Sequence, residues 1–252
     1  LNSVQLPSSL GYTTTVQNVG KIKNYGVDFQ LETDIISNHE WQWNLTGNIS
    51  INRNKVVELY NGQDIFGMTT SSLVVFVDNF NILREGAPFG SFYGYKENGY
   101  DENGKIKYMD VDGIEGISPA DKTIIGNPNP DFIYGISSNL SWKNFNLNIF
   151  FQGSKGNDII SLSMVSQAYD YGYGLNTFKE LLYNNWTPEN PNSKYPKISS
   201  KTSIKMSDRF VYDGSYLRLK NIQLSYDIPS KLSWLKKAQV YISGQNLFTV
   251  TS

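Results

Sequence analysis

Apolar and polar residues alternate one by one along several stretches of this chain, which predicts where strands lie. Between residues 25 and 35, Tyr25, Val27, Phe29, Leu31 and Ile35 share one parity. Gly26, Asp28, Gln30, Glu32 and Asp34 share the other. The next run sets Trp41, Trp43, Leu45, Ile49 and Ile51 against Gln42, Asn44, Thr46, Asn48, Ser50 and Asn52. Two more follow. Phe132, Tyr134, Ile136, Leu140 and Trp142 oppose Gly135, Ser137, Asn139 and Ser141, and then Phe145, Leu147, Ile149 and Phe151 oppose Asn146, Asn148 and Gln152. Each run is about 9–13 residues, enough for a tilted strand to cross a bilayer and longer than the strands of most soluble sheets. Ile222, Leu224, Tyr226 and Ile228 continue the pattern, but Leu217 and Leu219 have the opposite parity. Either a β-bulge near Lys220 and Asn221 reconciles them, or Arg218 and Lys220 stand above the apolar band. A weaker run, Val240, Ile242 and Gly244, lies within a final strand at 240–248.

The connections alternate in length. Short ones fall near 37–40, 143–144 and 229–237, the last with one helical turn at 232–237. Long ones span about 55–129 and 157–209, the second with a short helix at 177–185 on the spacing of Phe178, Leu181 and Leu182. Compact soluble domains seldom carry structureless loops beyond about 15 residues, whereas outer-membrane barrels pair short periplasmic turns with long extracellular loops. Alternation by itself also suits a soluble sheet with one wet face. Tyr25, Trp41 and Trp142, at the ends of apolar faces, shift the reading towards a membrane interface. The expected fold is all-β: an antiparallel up-and-down transmembrane β-barrel segment of about six strands with long extracellular loops. Val27, Phe29, Leu45, Ile49, Ile136 and Ile149 are expected to face lipid.

Composition agrees. The 252 residues are 39% hydrophobic and 14% aromatic, with 17 Tyr. No run approaches the roughly 18 apolar residues of a spanning helix, which excludes a helical membrane protein. A mean hydropathy of -0.38 does not exclude a barrel, whose lumen face is polar. No cysteine is present, so there is neither a disulfide framework nor a thiolate metal site. A net charge of -1 without a basic stripe gives no reason to expect nucleic acid. Leu1 opens without the charged and apolar regions of a signal peptide, and both ends have the look of cuts.

Few residues suggest chemistry. Asp110, Asp112 and Asp121 occupy positions one, three and twelve of a calcium-type loop. Ile114 at position five cannot ligate through its side chain, and Glu115 takes the place of the glycine at position six. An acidic solvated turn is the simpler reading. Tyr169, Tyr171 and Tyr173 form an aromatic cluster suited to a sugar or peptide, or to packing. Asp28, Glu32 and Asp34 read as hydrated charges on a polar wall. His39, the single histidine, reads as a turn residue. No nucleophile–base set is visible, so an enzyme is not expected, and no cofactor is required beyond calcium in the acidic loop.

Six segments carry a family resemblance. They are Glu85-Gly86-Ala87-Pro88-Phe89-Gly90-Ser91-Phe92-Tyr93-Gly94-Tyr95, Ile125-Gly126-Asn127-Pro128-Asn129-Pro130-Asp131-Phe132 and Phe151-Gln152-Gly153-Ser154-Lys155-Gly156-Asn157-Asp158. Then come Trp186-Thr187-Pro188-Glu189-Asn190-Pro191, Gly214-Ser215-Tyr216-Leu217-Arg218-Leu219-Lys220-Asn221 and Tyr241-Ile242-Ser243-Gly244-Gln245-Asn246-Leu247. In this order they resemble SusC/RagA-type TonB-dependent outer-membrane transporters. The resemblance implies a 22-stranded barrel around an N-terminal plug, with residues 1–252 as the C-terminal part of the barrel domain. Plug, TonB-contacting segment and closing strand would lie outside the sequence. It further implies a multi-pass protein of the bacterial outer membrane, importing oligosaccharides or peptides actively. Its partners would be a SusD-like lipoprotein lid, the TonB complex and outer-membrane lipid. The rival reading is a secreted β-sandwich or repeat module that binds carbohydrate, with disordered loops and apolar faces buried against a second sheet.

Overall fold

The computed structural model describes residues 2–5, 14–17, 20–68, 78–164, 176–198, 204–229 and 238–251. Six long strands dominate: Gly20–Ser37, Trp41–Leu59, Phe132–Trp142, Phe145–Lys155, Tyr216–Ile228 and Ala238–Thr251. They form one antiparallel sheet in which every strand lies beside its neighbour in this series. This is the expected up-and-down meander, and it does not close on itself. Asn38 Oδ1 holds the first turn by accepting from the backbone N–H of Glu40 at 3.0 Å and of Trp41 at 2.8 Å. The turn at 143–144 places Lys143 at φ 53, and the Lys143 N–H donates to the Glu40 carbonyl at 2.9 Å.

Register fixes the two faces. Trp41 lies opposite Trp142, Trp43 opposite Leu140 and Ile49 opposite Tyr134. Phe145, Leu147 and Ile149 then face Tyr226, Leu224 and Ile222. The parity break in the fifth strand is a bulge. Both flanking ladders skip Lys220, and in the sixth strand Asn246 adopts φ 52 at the same level. Leu217 and Leu219 thereby return to the face of Ile222 and Leu224. One extra residue restores a side-chain period of two.

The first two strands run longer than their apolar patterns, 18 and 19 residues. Pairing continues where side chains turn charged, and Lys21 Nζ meets Glu58 Oε2 at 2.5 Å. The helical turn expected at 232–237 lies outside the described residues.

The chain divides into two compact units. One holds residues 25–53, 129–157 and 213–252, most of the sheet. The other holds 1–24, 54–128 and 158–212. The long connections in this second unit carry structure of their own, unlike the disordered loops of the rival reading. Strands Ile65–Phe66, Asn81–Leu83, Ser91–Gly94 and Thr123–Gly126 make a small antiparallel sheet. Phe80, Leu181, Tyr195, Ile204, Met206 and Phe210 form a buried core with Ile106 and Ile125 packed on it. That burial, drawn from both connections, supplies the apolar contact that a lone loop cannot. The helix expected at 177–185 shrinks to Leu181–Asn184. Leu181 is fully buried, whereas Leu182 is left out in solvent.

The recurring segments serve as fasteners. Val56 donates to the Ala87 carbonyl and Gly86 to the Val56 carbonyl, both at 2.9 Å, and Glu85 Oε1 accepts from the Leu59 N–H at 2.8 Å. Asp158 Oδ2 accepts from the Asn127 N–H at 2.7 Å. Gly156, at φ +84, lies so close to Asp131 that a Cβ there would stand 2.2 Å from its carboxylate. Gly104, at φ +76, leaves room for the Trp186 ring.

Candidate functional site

The sheet itself is the candidate site, because its two faces differ in kind. On one face, large apolar side chains lie open: Val27 is 68% exposed and Ile242 73%. No second sheet covers them among the described residues, contrary to the β-sandwich rival. Near the tight turns an aromatic row crosses this face. Trp41 stacks on Trp142 with centroids 5.4 Å apart, Trp142 on Phe145 at 6.0 Å, and Phe145 meets Tyr226 at 4.7 Å. Amphipathic rings favour such a position at a membrane–water boundary. Ser138 interrupts the apolar parity, but its hydroxyl accepts from Trp43 Nε1 at 3.0 Å. This polar side chain on the apolar parity of the third strand is thus hydrogen-bonded within the protein.

The opposite face is a laterally bonded wall of amides and carboxylates. Asn44 Nδ2 donates to Glu32 Oε1 at 3.1 Å and Asp34 Oδ1 at 3.2 Å. Ser50 donates to Asp28, and Asn52 Nδ2 donates to Ser50 at 2.9 Å. Asn148 donates to Asn139, and Asn221 Nδ2 donates to Asn148 Oδ1 at 3.2 Å. Asp227 accepts from Asn146 Nδ2 at 3.0 Å and Gln239 Nε2 at 2.9 Å. The carboxylates Asp28, Glu32 and Asp34 thus accept from the neutral donors Ser50 and Asn44 on this face.

In the connection unit, the structure brings together the three aspartates that the sequence singled out. Carboxylate oxygens of Asp110, Asp112 and Asp121 lie within 4.8 Å of one another. Asp121 is buried and accepts from the backbone N–H of Val111 at 2.7 Å, Ser118 at 2.7 Å and Asp112 at 3.3 Å. These N–H groups, that of Ser118 foremost, hold its carboxyl below the usual carboxylate range. Asp110 accepts from the Gly113 N–H at 2.6 Å and Asp112 from Ile114 at 2.8 Å. Ile114 points outward and brings no ligand. The three carboxylates retain free lone pairs for a hard cation, yet the backbone already gathers the turn. Tyr169, Tyr171 and Tyr173 lie outside the described residues. His39 sits exposed in the first turn.

A feature that periodicity missed lies in the connection unit. The Arg209 guanidinium grips Glu97, Nε to Oε1 at 2.8 Å and Nη2 to Oε2, with both side chains largely buried. Arg209 also donates to the Lys194 carbonyl at 2.5 Å and to the Tyr100 hydroxyl at 3.1 Å. Arg209, Tyr100 and Lys194 border a cleft of about 650 Å³ together with Asn98, Asp101, Asn192 and the Trp186 ring. Residues 97 and 209 belong to different connections, so no local pattern marks them as partners.

No protein-family model matches the chain. Curated relatives do. TonB-dependent receptor P3 of Formosa agariphila is 34% identical over 98% of this chain and 26% of its own length. TonB-dependent receptor SusC of Bacteroides thetaiotaomicron is 30% identical over 100% of this chain and 25% of its own. The structure of the RagAB peptide transporter superposes with a TM-score of 0.79 at 28% identity, covering 98% of this chain and 28% of that one. The chain thus spans about a quarter of the length of the relatives it matches.

Proposed function

The chain belongs with the SusC/RagA-type TonB-dependent receptors, and from that premise we propose that it forms part of the barrel wall of an active importer in a bacterial outer membrane. The observation that carries this reading is the two-faced six-stranded sheet. Its apolar, ring-bordered side suits lipid and its amide-lined side suits an aqueous lumen. The cargo is an oligosaccharide or a peptide, delivered under a SusD-like surface lipoprotein and driven by TonB. Plug and TonB contact belong to other parts of the receptor, and the long connections form its extracellular side. The test is uptake of labelled oligosaccharides and peptides by cells with and without the whole receptor. Uptake of one class should vanish on deletion and on collapsing the proton gradient. Unchanged uptake of both classes would overturn the reading.

The acidic turn is an accessory of this reading. With Asp121 engaged by three N–H groups and no ligand at Ile114, calcium is expected to bind no tighter than about 10⁻⁴–10⁻³ M, the range of extracellular modules. Calorimetric titration of the intact receptor against an Asp110→Ala/Asp112→Ala variant checks this. A submicromolar affinity abolished by the double change would contradict it.

A further inference from the structure

An apolar groove of about 310 Å³ opens on the ring-bordered face, lined by Trp41, Leu140, Trp142, Phe145, Leu147 and Leu224. All six side chains share the parity assigned to lipid. Rings and leucines line it together. Trp142 stacks on both Trp41 and Phe145 with interplanar angles of 24° and 16°. Lys143 adjoins its rim. The left-handed turn and the hydrogen bond to Glu40 fix the Lys143 backbone. Its ammonium lies 5.3 Å from the centre of the Trp142 ring, a cation–π contact that orients an otherwise flexible side chain.

A carbon-lined slot beneath one oriented cation, at the level of an aromatic belt, matches a two-part ligand. We propose that this groove seats a single anionic phospholipid, with an acyl chain along Leu140, Leu147 and Leu224 and the headgroup phosphate on Lys143. The occupant follows from the chemistry of the site. Apolar burial selects a hydrocarbon chain, and the ammonium at the interface selects a net negative headgroup. The seat rests on the reading that this face meets the bilayer.

Its test is native mass spectrometry of the whole detergent-solubilised receptor, titrated with phosphatidylglycerol or with phosphatidylcholine. Wild type should retain one phosphatidylglycerol in preference to phosphatidylcholine. Lys143→Gly keeps the left-handed backbone accessible and removes the cation, and should weaken retention roughly fivefold, the share of one lysine at an anionic surface. Leu147→Trp, which fills the slot, should abolish it. Equal retention of both lipids by wild type, or no change in either variant, overturns the seat. Membrane insertion of Ile149→Arg separates the two failures. If insertion is blocked and no lipid is retained, the seat alone is wrong. If insertion is unaffected, the lipid-facing assignment falls with it.

Discussion

Ile149→Arg is expected to block insertion of the full receptor into lipid, whereas Asn48→Arg leaves insertion intact. Ile149 lies opposite Ile222 on one side and Ser138 on the other, with Leu147 and Phe151 sharing its face. It stands four residues beyond Phe145 of the aromatic row, about 13 Å along the strand, near the middle of an apolar band about 25 Å tall. An arginine at that depth costs about 2–4 kcal/mol, with no water to solvate it and no carboxylate on its face. Asn48 has the other parity, lies opposite Gly135, and is exposed on the amide-lined side. A charge there stays hydrated. The measurement is the fraction of receptor that folds into lipid vesicles, read from its heat-modifiable mobility on a gel. Equal folding of the two variants would show the faces to be reversed or both wet.

Glu97→Ala should loosen the connection unit without touching the wall. Removing the carboxylate takes the countercharge of its ion pair from the largely buried Arg209 guanidinium, which still donates to the Tyr100 hydroxyl and the Lys194 carbonyl. It also strands the Ser207 hydroxyl, which donates to Glu97 Oε1 at 2.8 Å. Breaking one partner of a buried ion pair costs about 3–5 kcal/mol, enough to open a unit of this size locally. Hydrogen exchange of the intact receptor should therefore accelerate at 95–108 and 204–212, while the ladder between Phe132–Trp142 and Phe145–Lys155 keeps its protection. Uniform exchange in the two regions, or none faster than wild type, would show that the pair contributes little.

The wall was legible in the sequence because a strand with one apolar and one polar face writes its parity residue by residue. Even the bulge was marked, by Leu217 and Leu219 stepping out of phase with Ile222. What parity could not mark was strand that continues past the apolar band. From Gly20 to Asn24 and from Arg53 to Leu59 the backbone still pairs, but Lys21, Lys23, Lys55 and Glu58 blur the alternation. The connection unit was hidden for a different reason. Its core joins Phe80 to Leu181 and Phe210, and its ion pair joins residues 112 positions apart; neither leaves a local period. The aspartate cluster was half legible. Spacing offered Asp110, Asp112 and Asp121 as one group beside the simpler reading of an acidic turn, and did not mark that Asp121 is taken up by three backbone N–H groups. Within the segments that carried the family resemblance, Gly156 marks a close approach to Asp131, and Trp186 packs where Gly104, outside them, leaves room.

The amide-lined face bears on how a solute would travel past it. Asn44, Asn139, Asn148, Asn146 and Asn221 spend much of their hydrogen-bonding capacity on neighbours in the wall. A passing hydroxyl or peptide group must break one of those bonds to gain its own, so the net gain per contact is small. Such a surface is wettable yet slippery. If the proposed importer passes its cargo along this face, dwell time there should be short, with discrimination left to groups whose donors and acceptors are unspent.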